Sequence, residues 1–178
     1  MSLMYRNNHW QQGPRGPVSD NQHFPREACT VKMDNQILMT GGEYGMYESA
    51  WVFNRTDSTW TKIASMNHGL GQHGCVSLPN GDVMVAGRAK EDGKFVVEVL
   101  AGDTMQWHTL DSNQVPNPIN FVIRMFLIRG RVILLDAFSK TFYSRQEDQD
   151  WLKIGNLPGF RDGFNTGAVA VPSSFACT

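Results

Sequence analysis

Residues 26–60 read REACTVKMDNQILMTGGEYGMYESAWVFNRTDSTW, and the punctuation of that stretch decides the fold. Cys29 to Met33 and Ile37 to Thr40 are short apolar-leaning runs. Asp34-Asn35-Gln36 separates them, with residue types suited to a hairpin turn. Gly41-Gly42 ends the second run. Two further runs follow, joined by a polar turn and closed by Trp60. Runs this short, bounded by turn residues, have the length of strands rather than helices.

The same order recurs downstream. Gly74 to Leu78 leads into Pro79-Asn80-Gly81-Asp82, where Asn-Gly is the strongest hairpin signal in the chain, and Val83 to Ala86 then leads into Gly87. A third copy has Met125 to Ile128, the turn Arg129-Gly130-Arg131, and Val132 to Leu135. A fourth begins with Gly167 to Val171, turns at Pro172-Ser173-Ser174 and stops after Phe175 to Thr178. Aligning the second strands places Ile37, Val83, Val132 and Phe175 in one register and Gly41, Gly87 and Asp136 in another. The outer halves agree: Phe53, Leu100 and Ser144 each stand seven residues before Trp60, Trp107 and Trp151, and Ile63, Leu110 and Ile154 each stand three beyond.

One four-stranded meander cannot bury both its faces alone, but meanders stacked around an axis bury each other. The glycines then permit close backbone approach near that axis. Each tryptophan fills a wedge between units, at the scale of about 3 to 5 kcal/mol for a core aromatic. No stretch keeps a helical period with caps.

Composition narrows the class. The 178 residues are 41% hydrophobic and 19% charged, a globular balance, and the net charge of −1 gives no field to steer a polyanion, so nucleic acid is not an expected partner. No apolar run has the length to cross a bilayer. MSLMYRNNHWQQGPRGP lacks the apolar centre of a signal peptide, so the expected location is cytoplasmic unless the natural start lies upstream. Cys29, Cys75 and Cys177 are odd in number with no CxxC pair. That spacing argues against a disulfide scaffold or structural zinc and for reduced, mostly buried thiols.

The pattern resembles the kelch repeat, through ILMTGG with WVFNRTDSTW, DVMVAG with VVEVLAGDTMQW, and a weaker VILLDA with TFYSRQEDQDW. What the resemblance implies is an all-β, partial β-propeller of four-stranded antiparallel blades. The blades would cover residues 26–66, 72–112 and 119–157, with a half blade at 164–178. Residues 1–25 would be irregular, apart from a last strand of a preceding blade around Tyr5 to Trp10. The glycine doublet is intact only at Gly41-Gly42; it becomes Gly87-Arg88 and Asp136-Ala137. Two readings of the ends stay open, a piece of a longer propeller and a small closed ring of four.

Kelch-like proteins commonly bind proteins or peptides through the loops joining strands two and three and the loops between blades. Carried over by position, the contact candidates are Tyr44, Tyr47, His68, Arg88, Lys90 and Glu91; tyrosine and arginine offer contact area with a polar tip. The competing reading is structural, with Tyr44 and Tyr47 bracing the blade and Lys90-Glu91-Asp92 a solvated turn. Gly41, Gly42, Gly87, Trp60, Trp107 and Trp151 are the expected structural positions.

No catalytic constellation stands out. The histidines are not joined by carboxylates or cysteines at ligand spacing, so no metal or other cofactor is expected. His73 and Cys75 lie two apart on a strand, the minimum for a thiol–imidazole pair, although an inner strand more often buries its cysteine. Asn54-Arg55-Thr56 matches the glycosylation triplet, without a secretion signal to support it. The expected function is therefore a non-enzymatic interaction module for substrate recognition or scaffolding. Its partners would be a protein or peptide ligand and the remaining blades or domains of a longer parent chain. The alternative is a fragment of a kelch-type propeller enzyme such as a metal-dependent oxidase.

Overall fold

Short strands with turn residues between them form the meanders that the spacing predicts. The computed structural model describes residues 3–6, 9–12, 16–17, 25–43, 45–111, 122–146 and 149–156. The expected half blade at 164–178 lies outside them. Blade 1 comprises β3 (Cys29–Met33), β4 (Gln36–Thr40), β5 (Ala50–Asn54) and β6 (Thr59–Lys62). Blade 2 comprises β7 (Leu70–Ser77), β8 (Val83–Ala89), β9 (Phe95–Leu100) and β10 (Trp107–Thr109). Blade 3 comprises β11 (Ile123–Ile128), β12 (Arg131–Asp136), β13 (Thr141–Arg145) and β14 (Leu152–Asn156). Each is a four-stranded antiparallel sheet in chain order. Ahead of them, β1 (Leu3–Arg6) and β2 (His9–Gln12) pair as a hairpin, with Tyr5 opposite Trp10.

Successive side chains of a strand point to opposite faces, so near-continuous apolar runs such as β8 and β9 clothe both faces of a sheet, and among the described residues two cores result. Leu38, Val52, Leu70, Val83, Val85 and Leu100 pack together between blades 1 and 2, and Trp107 joins them. Val76, Met84, Val97, Ile123, Leu134 and Tyr143 pack between blades 2 and 3, and Trp151 joins those. Trp107 also donates its indole N–H to the Ala64 carbonyl at 2.9 Å. Trp60 belongs to neither core; its ring lies tilted on Phe53 with centroids 5.2 Å apart.

Register explains one departure. Phe53 stands between Ile37 and Trp60, and Leu100 between Val83 and Trp107. In blade 3 the partner of Val132 is Arg145, while Ser144 pairs with Ile133 and Leu152. Arg145 therefore takes the place expected for Ser144, because the turn before Trp151 is one residue shorter than its counterparts. A register shift between Phe142 and Tyr143 accompanies the change.

The cysteine expectation needs correction. Cys29 of β3 and Cys75 of β7 form a disulfide across the two innermost strands, with Cα atoms 6.0 Å apart. An odd cysteine count said nothing about which two strands would be neighbours. Nearby, the Ser77 hydroxyl donates to the Lys32 carbonyl, a second tie between the same strands. Among the described residues no helix is long and apolar enough to cross a membrane.

Candidate functional site on the loop face

The loop between blades 1 and 2 is held from below by a buried carboxylate. Glu98 sits on β9 among apolar neighbours and is fully buried. Its Oε2 accepts the Asn67 N–H at 2.8 Å and its Oε1 accepts the His68 N–H at 2.8 Å. His68 Nδ1 lies 2.9 Å from the same Oε1. A buried charge is tolerated only with such donors, and charge-assisted bonds are the stronger kind. The Asn67 amide adds a bond to the Thr109 hydroxyl at 3.3 Å.

Backbone bonds bring three loops together above this carboxylate. Leu70 donates to the Tyr47 carbonyl at 2.8 Å, and Lys90 donates to the Gly69 carbonyl at 2.8 Å. Lys90 Nζ stands 5.1 Å from the centre of the Tyr47 ring, a cation–π contact worth about 0.5 to 1 kcal/mol at an exposed position. Tyr47, His68 and Lys90 thus share one patch. Arg88 donates to the Gly93 carbonyl at 3.0 Å inside its own hairpin, and Glu91 is exposed at the tip of that hairpin. Lys94 and Asp92 pair across the same tip at 2.8 Å, and the Lys94 hydrogen bond holds the Asp92 carboxyl below its ordinary range. Tyr44 lies outside the described residues.

On the first strand of blade 2, β7 carries a bulge between Gly71 and Gly74, and His73 within it reaches Thr40 of blade 1. His73 is buried, with Nε2 2.8 Å from the Thr40 hydroxyl. Its Nδ1 has no hydrogen-bond partner among the described residues. Burial lowers its pKa from 6.5 to about 4, and the positive charge of Arg124 adds to that, so the ring is neutral at neutral pH. The glycines make room for it. A Cβ at Gly87 would stand 2.6 Å from His73 Cβ, and one at Gly41 would stand 2.6 Å from His73 Cε1 and 2.5 Å from the Leu70 carbonyl oxygen. Gly42 reaches the same place through its N–H, which donates to the Leu70 carbonyl at 3.2 Å.

Gln72, next to His73 in the chain, adopts left-handed backbone at φ 52°, and Glu27 does so at φ 58°. The Gln72 amide donates to Glu27 Oε1 at 2.7 Å, joining blade 2 to the chain entering blade 1. Sequence reading missed Glu27, Thr40, Gln72 and Glu98. Only Glu98 left a signal, as a lone acid on the core-facing parity of the apolar run FVVEVL. The His73–Cys75 pair does not provide a nucleophile, since the Cys75 sulfur is bonded to Cys29. Among the described residues, no three histidine, cysteine or carboxylate side chains converge as a metal site.

On the opposite face a cleft of about 610 Å³ runs between the turns of blades 1 and 2, lined by Asp34, Asn35, Asn54, Thr56, Asn80 and Met105 among others.

No protein-family profile matches the chain. Over 65 residues it is 31% identical to tRNA wybutosine-synthesizing protein 4 of Saccharomyces cerevisiae, a match spanning 35% of this chain and 9% of that protein. Among solved structures, a fungal alcohol oxidase of the AA5 family, determined in complex with copper, matches with a TM-score of 0.59 at 19% identity, over 79% of this chain and 32% of that one. The chain therefore spans about a third of the oxidase and under a tenth of the curated relative. At that identity the likeness is one of fold. It corrects the expectation of a non-enzymatic protein, because a solved structure that shares this fold is an oxidase. What stands, among the described residues, is an all-β arrangement of three blade-like four-stranded antiparallel sheets and one hairpin, with an enzyme among its fold neighbours.

Proposed function

We propose that the chain contributes three neighbouring blades to a propeller enzyme of the oxidase class, with the loop face turned toward substrate. The fold likeness to the copper-complexed alcohol oxidase carries this reading, since it extends over 79% of the chain. The disulfide between inner strands supports an oxidising compartment in place of the cytoplasm, because such bonds rarely persist among cytosolic thiols.

The described residues do not fit a copper site on their own. Cys29 and Cys75 are committed to each other, His73 Nε2 to Thr40, and no third ligand approaches. No oxidation step is therefore assigned to them. Their contribution is rigidity. Glu98 pins the inter-blade loop, and His73 and the Gln72–Glu27 bond lock the inner-strand ends on which a substrate would be oriented. The test is elemental analysis of the purified longer parent chain, together with oxygen uptake on a panel of alcohols. Stoichiometric copper with alcohol-dependent uptake supports the reading, and a metal-free, inert protein refutes it.

A second reading is favoured by the convergence of Tyr47, His68 and Lys90, which gives the same face the amphipathic character of a peptide-docking patch. A Tyr47→Ala, Lys90→Ala double variant that keeps its melting temperature should then lose a captured peptide. Unchanged capture would discard this reading.

A further inference from the structure

We propose that Asn54 is an N-glycosylation site, carrying an oligosaccharide on the face opposite the loops. Asn54-Arg55-Thr56 is the only Asn-X-Ser/Thr triplet in the 178 residues, and its middle residue is not proline. Such a triplet is a weak signal by itself. The proposal shares the oxidising compartment with the oxidase reading but none of its chemistry.

Structural observations of the turn and of the inner strands strengthen it. Asn54 ends β5, and the turn that follows presents Arg55, Thr56 and Asp57 to solvent. Asn54 Oδ1 accepts the Thr56 N–H at 2.8 Å, so an Asx turn folds the two side chains of the triplet over the same few atoms. Asn54 Nδ2 reaches Asp57 Oδ2 only at 3.4 Å, near the limit of a hydrogen bond, and with two N–H groups it keeps a proton to lose. The Thr56 hydroxyl accepts from Asn35 Nδ2 at 3.1 Å, which leaves its own proton free to donate.

The inner strands add the Cys29–Cys75 bond. The triplet had no support from a secretion signal, whereas the disulfide is of the kind that persists in oxidising compartments, among them the one where glycan transfer occurs. The co-reactant is a lipid-diphosphate-linked oligosaccharide. Asn54 Nδ2 forms a bond to the first sugar's C1, the bond from C1 to the diphosphate oxygen breaks, the lipid diphosphate leaves with the bonding pair, and one amide proton goes to a base. No oxidation state changes.

The position has a consequence for the molecule. Asn54 and Thr56 line the 610 Å³ cleft between blades 1 and 2, so the first sugar would lie at its mouth beside Asn35 and Asn80. A glycan there crowds the turn face and leaves Tyr47, His68 and Lys90 on the other face clear.

The experiment expresses the full chain behind a cleavable secretory leader in eukaryotic cells and examines cell extract and medium together, so that poor export does not hide the result. Intact mass before and after peptide N-glycosidase, with release in heavy-oxygen water, reads occupancy at Asn54. The expected result is a glycan on most of the chains, lost in Asn54→Gln and in Thr56→Ala and kept in Thr56→Ser. An unmodified Asn54 in chains whose Cys29–Cys75 bond has formed overturns the proposal while leaving the compartment intact. Unmodified Asn54 together with free thiols overturns both. Absence of copper or of alcohol oxidation bears on the oxidase reading alone.

Discussion

Removing the Cys29–Cys75 bond is the perturbation whose size follows most directly from the structure. The bond closes a loop with a sequence separation of 46. In the chain-entropy treatment, a loop of that length removes about 4 kcal/mol of unfolded-state freedom at 25 °C. The loop spans all four strands of blade 1 and the connection into β7, so the constraint acts on the pairing of the two innermost strands. For a domain of this size, about 4 kcal/mol corresponds to a melting temperature lower by roughly 8 to 16 °C. The assay is urea and thermal unfolding followed by tryptophan fluorescence. It compares the oxidised protein, the same protein after reduction and alkylation, and the Cys29→Ser, Cys75→Ser double variant. Reduction tests the link itself. The double variant adds the loss of two sulfurs from the core, and Cys75 is only 8% exposed, so it should be the less stable of the two. A difference between oxidised and reduced protein below about 1 kcal/mol would refute the reasoning, because the inner strands would then be held in register without the bond.

Three further outcomes are expected. His73 has its pKa lowered to about 4 by burial, so the unfolded state, with an ordinary imidazole near 6.5, binds the proton first. Stability is fully present above pH 6.5 and falls by about 3 kcal/mol as pH drops through 4; His73→Asn should flatten that part of a pH–stability profile, and an unchanged slope would contradict the assignment. Glu98→Ala should cost about 1 to 3 kcal/mol by leaving the Asn67 and His68 N–H groups without their acceptor, with hydrogen exchange accelerated at those two amides first. Trp107→Ala should cost about 3 to 5 kcal/mol, whereas Trp60→Ala, outside both cores, should cost visibly less in parallel denaturant melts.

Much of the architecture was legible because its signals are local. Asn80-Gly81 and Arg129-Gly130 mark hairpins by backbone preference, and Gly81 and Gly130 do adopt positive φ. The second-strand register carried across all three blades for the same reason. Blade 3 slipped by one position beyond β12 because a shorter turn leaves no trace in a strand pattern. The disulfide escaped for a different reason. Each cysteine stands eight residues before its second-strand marker, Ile37 or Val83, so the two share one repeat position. Counting cysteines discards that information; laying them on the repeat keeps it. At the loop face, position in the repeat put Tyr47, His68 and Lys90 on one side, and the loops that carry them do meet. Glu27, Gln72 and Thr40 were not, because their partners lie 45 and 33 residues away and no local pattern links them.

The repeat also accounts for which apolar side chains remain exposed. In blade 2 the tryptophan packs backward, Trp107 into the core shared with blade 1, while the aliphatic three residues on packs forward, Leu110 against the core shared with blade 3. Blade 1 obeys the forward half of the rule through Ile63, and blade 3 obeys the backward half through Trp151. Among the described residues, the two positions left without a core are Trp60, at the leading face, and Ile154, at the trailing face. Ile154 is 55% exposed and its strand neighbour Leu152 is 64% exposed, although both counterparts of Ile154 are partly buried. The exposure therefore belongs to the position in the array rather than to a change in residue type. Among the described residues no neighbouring sheet covers the trailing face, and because it is apolar by register, a sheet packed there would recover the same burial.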